Sequence, residues 1–315
     1  MKILILFVQH GNSKYPGAFE RLLKLYERFS EVDYHAVLID NALPIETSVS
    51  LGPKAELIGG DNSCWEFTSW DTGLQRFWGV LDQYDGVNIV TSAFEQGFSE
   101  FYSYIDNSTF AYLKAHPNVA FGQLDSSYAD LYRLFGRDFR TWLCTKFILL
   151  SVDTVRKLGK FLMNFTPEQL FQESLSQPFK SGCFVSENYQ RSLYRWLIRN
   201  EKYRELQWHS AFDLTQQSLP MFHQKMFSII NEKYLSIRLR ELGIKILDFT
   251  WSYLKDCQFD PSFIPDELAQ IKERNQRFFN HPVVESFSQA INEEESVNQL
   301  INLKKSCPRI PFMMF

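Results

Sequence analysis

Three consecutive stretches near the start of the chain decide the fold class: ILILFV (residues 3–8), AFERLLKLYERF (residues 18–29) and YHAVLI (residues 34–39). The first and third are short, continuously apolar runs, which is typical of strands buried on both faces of a parallel sheet. In the middle stretch, apolar residues recur at helical spacing along one face. A strand, a helix and a strand within so short a span predict a βαβ unit, and therefore an α/β fold with a mostly parallel sheet.

The rest of the chain extends this pattern and then changes it. Further strands are predicted at residues 55–58, 87–91, 119–122 and 145–150, with helices starting near Trp65 and near Ser151. Beyond about residue 160 the periodicity is mainly helical, and residues 244–251 fit either a strand or a helix. We therefore expect an α/β domain over residues 1–160 and a mainly helical region over residues 161–315 that packs onto it.

Composition excludes several classes of protein. With 45% hydrophobic and 22% charged residues among 315, the chain has a globular composition. A net charge of −4 argues against a nucleic-acid-binding protein, which needs a basic surface to neutralise phosphates. The five cysteines are scattered without a C-x-x-C pair, so neither a zinc site nor a disulfide framework is indicated.

The same sequence carries no targeting or membrane-spanning pattern. The opening MKILILFVQHG has the features of a first strand and lacks the small-residue cleavage site of a signal peptide. No apolar stretch reaches the roughly 18–20 residues that cross a bilayer. We expect a cytoplasmic protein.

Polar residues follow the predicted strands at the points where each strand ends. In an open parallel sheet, ligands bind outside the carboxyl ends of the strands, where the strand order reverses. Carboxylates and amides in such a crevice suit ribose hydroxyls and the edge of a base. The candidate nucleotide-binding residues are His10, Asp40, Asn41, Gly60, Asp61, Asn62, Thr91 and Ser92.

These residues also have purely structural interpretations. Asp40-Asn41 before Ala-Leu-Pro fits a turn, because Asx side chains hydrogen-bond to their own backbone. Gly59-Gly60 fits a tight bend, and Asp61 or Asn62 fits the N-cap of the following helix, a role compatible with ligand binding.

Three ordered blocks resemble a known family: LIDNALP (residues 38–44), LIGGDNSCWEFTSWDTGL (residues 57–74) and YDGVNIVTSAF (residues 84–94). They are similar to the nucleotide-sugar blocks of GT-A-fold glycosyltransferases, particularly family 2 and its rhamnosyltransferase-like relatives. The likeness covers roughly residues 1–160, in pattern more than in identity.

The resemblance implies a Rossmann-like, mostly parallel sheet flanked by helices, and a nucleotide-diphosphate-sugar donor. It implies transfer of a sugar to a glycan or lipid-linked acceptor, in polysaccharide or O-antigen-type biosynthesis. The helical C-terminal half would then cover the acceptor cleft. It could touch a membrane-borne acceptor at the inner face of the membrane.

One departure from the family pattern concerns metal. The third block reads Val90-Thr91-Ser92, and no D-x-D occurs in the sequence. Mg²⁺ or Mn²⁺ under a diphosphate needs hard carboxylate ligands. Either the enzyme works without metal, which we favour, or Asp61, Glu66 or Glu95 supplies the ligand, or activity has been lost. Without metal, cationic side chains must balance the negative charge that develops on the leaving nucleoside diphosphate. The candidates by position are Arg76, Arg137, Arg140 and Lys146.

Inverting sugar transfer also needs a group that takes the proton of the acceptor hydroxyl. Asp125 is the first candidate, since it follows a predicted strand on the acceptor side, and Asp71 and Glu66 are alternatives nearer the donor. Two other functions stay open. One is a catalytically inactive relative that binds a nucleotide or glycan as a scaffold. The other is a nucleotidyltransferase, which is weakened because HGNSKYPG is a poor phosphate-binding loop.

Overall fold

A computed structural model describes residues 1–95, 99–127, 130–201 and 210–279. Residues 280–315 of the predicted C-terminal region lie outside this described part. The strands that it contains are β1 (Lys2–Gln9), β2 (Asp33–Asp40), β3 (Ser48–Gly52), β4 (Ala55–Gly59), β5 (Gly86–Thr91), β6 (Val119–Ser126), β7 (Tyr132–Leu134), β8 (Arg137–Phe139), β9 (Thr141–Ser151) and β10 (Lys245–Asp248).

Helices connect and cover these strands. They are α1 (Ala18–Tyr26), α2 (Glu66–Phe77), α3 (Asn107–Ala115), α4 (Val152–Leu158), α5 (Pro167–Leu170), α6 (Glu187–Leu197), α7 (Leu219–Glu241), α8 (Phe249–Leu254) and α9 (Glu267–Phe279). Short 3₁₀ turns occur at Trp78–Gln83, Ser99–Tyr104 and Pro261–Phe263.

Eight of the strands form one sheet in the order β10-β6-β9-β5-β1-β2-β4-β3. β1 pairs in parallel with both β2 and β5, β2 with β4, and β6 with β10. β9 runs antiparallel between β5 and β6, and β3 runs antiparallel to β4 at the edge. The predicted α/β class with a mostly parallel sheet is confirmed, and the sheet is compatible with a Rossmann-like fold.

Alternate side chains of the central strands fill two cores. On one face, Ile3, Ile5 and Phe7 of β1 pack with α1, α3 and α8. On the other, Leu4 and Leu6 pack with α2, α4, α7 and α9. This is why β1 is apolar at every position from residue 3 to residue 8: both of its faces are covered by helices.

The C-terminal half contributes to the same sheet. β10, from beyond residue 240, pairs with β6, and the ambiguous residues 244–251 form a strand followed directly by α8. A third apolar cluster joins α5, α6 and the β7–β8 hairpin to α7. Because α7 also packs on β9, it links this peripheral layer to the sheet.

The strand order reverses beside β1. The chain runs from β1 outward to β2 and β4 and then returns through α2 to β5, on the other side of β1. In an open α/β sheet the carboxyl ends of the strands at such a point form the usual ligand crevice. We call this end of the sheet the carboxyl edge, defined by Gln9, Asp40, Gly59 and Thr91.

Candidate functional site

The four predicted loops meet at the carboxyl edge. The strand register sets Val8 opposite Thr91, Gln9 opposite Asp40, and Asp40 opposite Gly59. Backbone hydrogen bonds continue beyond the strands, from Asn41 N to the Gln9 carbonyl (2.9 Å) and from Gly60 N to the Asp40 carbonyl (3.1 Å). Ser92 N likewise donates to the carbonyl of Val8 at 2.8 Å. The parallel sheet therefore brings all the predicted nucleotide-binding segments together, with His10 exposed at the end of β1.

The Asp40 carboxylate holds the loop that follows β1. It is only 7% exposed. One oxygen accepts the backbone N–H groups of Gly11 (2.8 Å) and Ala42 (2.9 Å), and the other accepts the Gln9 side-chain amide (2.8 Å). Because its carboxylate already accepts three hydrogen bonds from the protein, Asp40 holds the loops after β1 and β2 in place.

The Asn41 side chain covers Gly60. Its oxygen accepts the Ser69 hydroxyl at 2.5 Å, and its amide donates to Asn62 at 3.1 Å. A Cβ added at Gly60 would lie 2.0 Å from the Asn41 oxygen, which is far inside van der Waals contact. Position 60 therefore has room for glycine alone while Asn41 stays where it is.

An open cleft of about 850 Å³ lies on the outer side of this loop. Its lining includes Gly60, Asp61 and Asn62 of the loop, residues of α2 that include Asp71, and Leu162. Asp61 is exposed, and its carboxylate accepts the backbone N–H of Ser63 at 2.8 Å, as in an Asx turn.

The residue before α2 has an unusual backbone. Trp65 lies at φ 56° and ψ −130°, a region that only glycine occupies readily. Hydrogen bonds hold it there: its carbonyl accepts the hydroxyls of Ser69 (2.9 Å) and Thr68 (3.3 Å). Strain of this kind costs about 1–3 kcal/mol and persists only where the surroundings enforce it.

Glu66 follows directly, as the first residue of α2. Its carboxylate accepts the hydroxyl of Ser228 in α7 at 2.8 Å. Burial raises the pKa of Glu66, while the nearby Lys225 ammonium partly opposes that rise. Lys225 lies over the Trp65 ring, 4.7 Å from its centre, and burial lowers the pKa of this lysine. A carboxyl group with a raised pKa beside a lysine with a lowered one is typical of a site that exchanges protons.

A buried ion pair lies further along α7. Lys233 Nζ is 2.5 Å from the Glu232 carboxylate and 3.8 Å from the centre of the Trp142 ring. The other Glu232 oxygen accepts the backbone N–H (2.9 Å) and the hydroxyl (2.6 Å) of Thr145. Burial alone raises the pKa of Glu232, but Lys233 and the Thr145 hydrogen bonds outweigh it and lower that pKa. The pair ties α7 to the start of β9.

Asp71 and Asp125 occupy different surroundings from Glu66. Asp71 accepts the backbone N–H groups of Phe161 (2.6 Å) and Leu162 (3.0 Å), so it holds the chain that leaves α4. Asp125 is 5% exposed at the end of β6, and β9 and β5 separate it from β1. Burial raises the pKa of both carboxyl groups.

Two of the proposed cations have carboxylate partners, and one of them, Arg76, lines the cleft described above. Arg76 lies 2.8 Å from Glu56, and Arg137 lies 2.6 Å from Glu241. Lys146 and Arg140 project from β9 and from the residue before it, and both are partly exposed.

Sequence reasoning missed the contribution of α7. Lys225 and Ser228 contact the start of α2, and Glu232 contacts β9, from a helix that begins about 130 residues beyond β5. The available signal was weak: buried Ser228, Asn231, Lys233 and Ser236 interrupt an otherwise apolar helical pattern. Such polar positions on a packed helix indicate a second polar network, but periodicity does not reveal its partners.

Within the described ranges, no group of three or more His, Cys, Asp or Glu side chains is placed to hold a metal ion. No helix in the same part of the chain combines the length and apolar character that a bilayer span requires.

The fold and site thus define an α/β protein with polar loops gathered at the reversal point of a mostly parallel sheet. No protein-family model matches the chain, and no curated protein matches it significantly.

Proposed function

We propose that the protein is a GT-A-type glycosyltransferase that binds a nucleotide-diphosphate sugar at the carboxyl edge and transfers the sugar to a glycan or lipid-linked acceptor. The observation that carries the proposal is the meeting of the loops after β1, β2, β4 and β5 around one reversal point, with Glu66 and α7 beside them. The three sequence blocks that resemble the family lie on these loops and on α2.

In this proposal Glu66 is the base. Both carboxylate oxygens of Asp71 already accept backbone N–H groups, and Asp125 is almost fully buried, so neither is well placed to take a proton from an acceptor. Glu66 is partly exposed at the start of α2. Its carboxylate takes the proton of the acceptor hydroxyl as that oxygen attacks the anomeric carbon, and the nucleoside diphosphate leaves.

A nucleotide-binding scaffold without catalysis is the second candidate. It is favoured by the absence of a D-x-D sequence and by the way Asp40 and Asn41 are already hydrogen-bonded within the protein. Such residues would shape a pocket through the backbone and leave the ligand contacts to the loop atoms.

The experiment that tests the proposal is a thermal-shift panel of UDP, GDP, dTDP and CMP with and without Mn²⁺, followed by transfer assays with sugar derivatives of the nucleotide that binds. A ligand at about 100 times its dissociation constant stabilises the folded state by about 2.7 kcal/mol, which shifts the melting temperature measurably. No shift with any nucleotide would end the proposal. A shift in melting temperature without sugar transfer or donor hydrolysis would favour the second candidate, a nucleotide-binding scaffold without catalysis.

Two variants separate binding from chemistry. Asp40→Asn keeps an acceptor for Gly11 and Ala42 and turns an amide toward Gln9, whose own amide can rotate to accept it. We expect this variant to fold and to bind the nucleotide less tightly, because the loops lose a charged acceptor. Glu66→Gln should lower transfer by about 10²–10⁴-fold with donor affinity unchanged.

A further inference from the structure

The Trp65 indole and Lys225 lie next to Glu66, the proposed base, and neither of them has a role in the proposed nucleotide site. Trp65, Glu66 and Lys225 are each partly exposed, and they meet where α2 begins beside α7. The Lys225 ammonium lies 4.7 Å from the centre of the indole ring, and Glu66 is held by Ser228 at 2.8 Å. The cluster thus offers an aromatic surface, a carboxylate and an ammonium group where two helices pack together.

The backbone of Trp65 is the unusual part of this cluster. A glycine would adopt φ 56° and ψ −130° without strain, whereas a tryptophan must be forced into it. Hydrogen bonds from Ser69, Thr68 and Asn41 to the Trp65 carbonyl hold the backbone in this conformation. A bulky aromatic residue kept at a strained position beside a crevice points to a use for the indole.

We propose that Trp65, Glu66 and Lys225 form a subsite for a pyranose ring. An aromatic ring packs against the apolar C–H face of a sugar, while its hydroxyl groups need charged or polar partners at the rim. Trp65 supplies the stacking surface, Lys225 donates to a ring or hydroxyl oxygen, and Glu66 accepts from a hydroxyl. This inference rests on the proposed function for its biological meaning, because Glu66 would then hold the acceptor hydroxyl that it deprotonates.

The chain offers a matched control at the other end of α2. Trp78 follows the last residue of the helix, is also partly exposed, and also lies beside a cation, with the Arg156 guanidinium 4.6 Å from its ring centre. A helix of 12 residues is about 18 Å long, so Trp78 lies well away from the carboxyl edge. Removal of either indole takes away a similar aromatic surface and a similar cation–π contact.

The test measures binding of the methyl glycosides of glucose, galactose, mannose and rhamnose to the full chain. Saturation-transfer NMR detects the binding, and titration gives the dissociation constant. We expect at least one glycoside to bind. We expect Trp65→Leu to weaken that binding about tenfold or more, as loss of a stacking contact implies, and Trp78→Leu to leave it unchanged. Lys225→Met provides a second variant that keeps the indole, and we expect a severalfold loss.

Nucleotide binding is measured in parallel on the same variants. Nucleotide affinity that survives Trp65→Leu while the glycoside is lost supports a separate sugar subsite. Glycoside binding without any nucleotide binding would contradict the proposed transferase function but would support the sugar subsite. The subsite is overturned if the wild-type protein binds no glycoside, or if binding is the same in Trp65→Leu, Lys225→Met and wild type.

Discussion

Glu66 and Ser228 are joined by a hydrogen bond of 2.8 Å although 162 positions separate them in the chain. The bond fixes the first turn of α2 against the middle of α7, so the carboxyl group lies between two helices and is only partly open to water. This location explains both its raised pKa and its suitability as an acid–base group.

The first prediction concerns pH and stability. Because burial raises the folded-state pKa of Glu66, the folded protein holds this proton more tightly than the unfolded chain. The stabilisation is complete below the unfolded pKa of about 4.3 and is lost as pH rises through the folded value. Glu66→Gln removes this titration and can still accept from Ser228. Urea unfolding at a series of pH values should therefore show the variant gaining stability relative to wild type as pH increases across this window; a gain by wild type would contradict the assignment.

The second prediction concerns the strain at Trp65. Trp65→Ala removes the indole but keeps a Cβ at a positive φ, whereas Trp65→Gly removes both. We expect the glycine variant to be more stable than the alanine variant by about 1–2 kcal/mol, the reverse of their order at an ordinary helix position. Denaturant unfolding of the two proteins measures this difference directly, and an alanine variant of equal or greater stability would show that the backbone is not strained.

The third prediction concerns the contact between Gly60 and Asn41. Gly60→Ala places a methyl group where the Asn41 oxygen lies, so the asparagine must leave Ser69 or the loop must shift. We expect a loss of about 1–3 kcal/mol in unfolding free energy, together with weaker nucleotide binding. Gly79→Ala is the control, since nothing lies within 4 Å of a Cβ at that position. Its stability should stay within about 1 kcal/mol of wild type, and equal effects of the two substitutions would argue against the close contact.

The fourth prediction concerns the buried pair that attaches α9 to the sheet. Arg274 donates to Asp248 at 2.6 Å and to the Leu124 carbonyl at 3.0 Å, and both charged side chains are almost fully buried. Arg274→Ala leaves Asp248 charged and buried, which should cost about 3–5 kcal/mol. Lys54→Ala breaks a pair with Asp33 in which both side chains are 57% exposed, so water screens the pair and its loss should cost far less than the loss of Arg274. Thermal or denaturant unfolding of both variants checks the contrast.

Local pattern was enough to predict the first part of the fold. Continuous apolar runs and one amphipathic segment gave β1, α1 and β2, and the rule for parallel sheets placed the polar loops at one edge. The convergence of the Asp40 and Gly60 loops follows from that rule, since the two strands that carry them are neighbours.

Other features depend on pairings between distant residues and could not be predicted in this way. The run at residues 145–150 looks the same whether the strand is parallel or antiparallel, so the reversed direction of β9 has no local signal. β3 alternates polar and apolar residues over only five positions, and every one of them is exposed, so the pattern is too short to mark an edge strand. The partners of Glu66 come from α7, and the packing of that helix on β9, β10 and α2 brings Lys225 and Ser228 to the site.

The position of β10 beside β6 affects how the chain folds while it is being synthesised. During synthesis, the β6 side of the sheet stays without its last strand until residue 248 has emerged from the ribosome, about 120 residues after β6 itself. An unpaired strand edge of this kind invites pairing with other chains, so the nascent protein is prone to aggregate until β10 pairs with β6. Expression of the first 160 residues alone would make that exposure permanent, and such a fragment should aggregate.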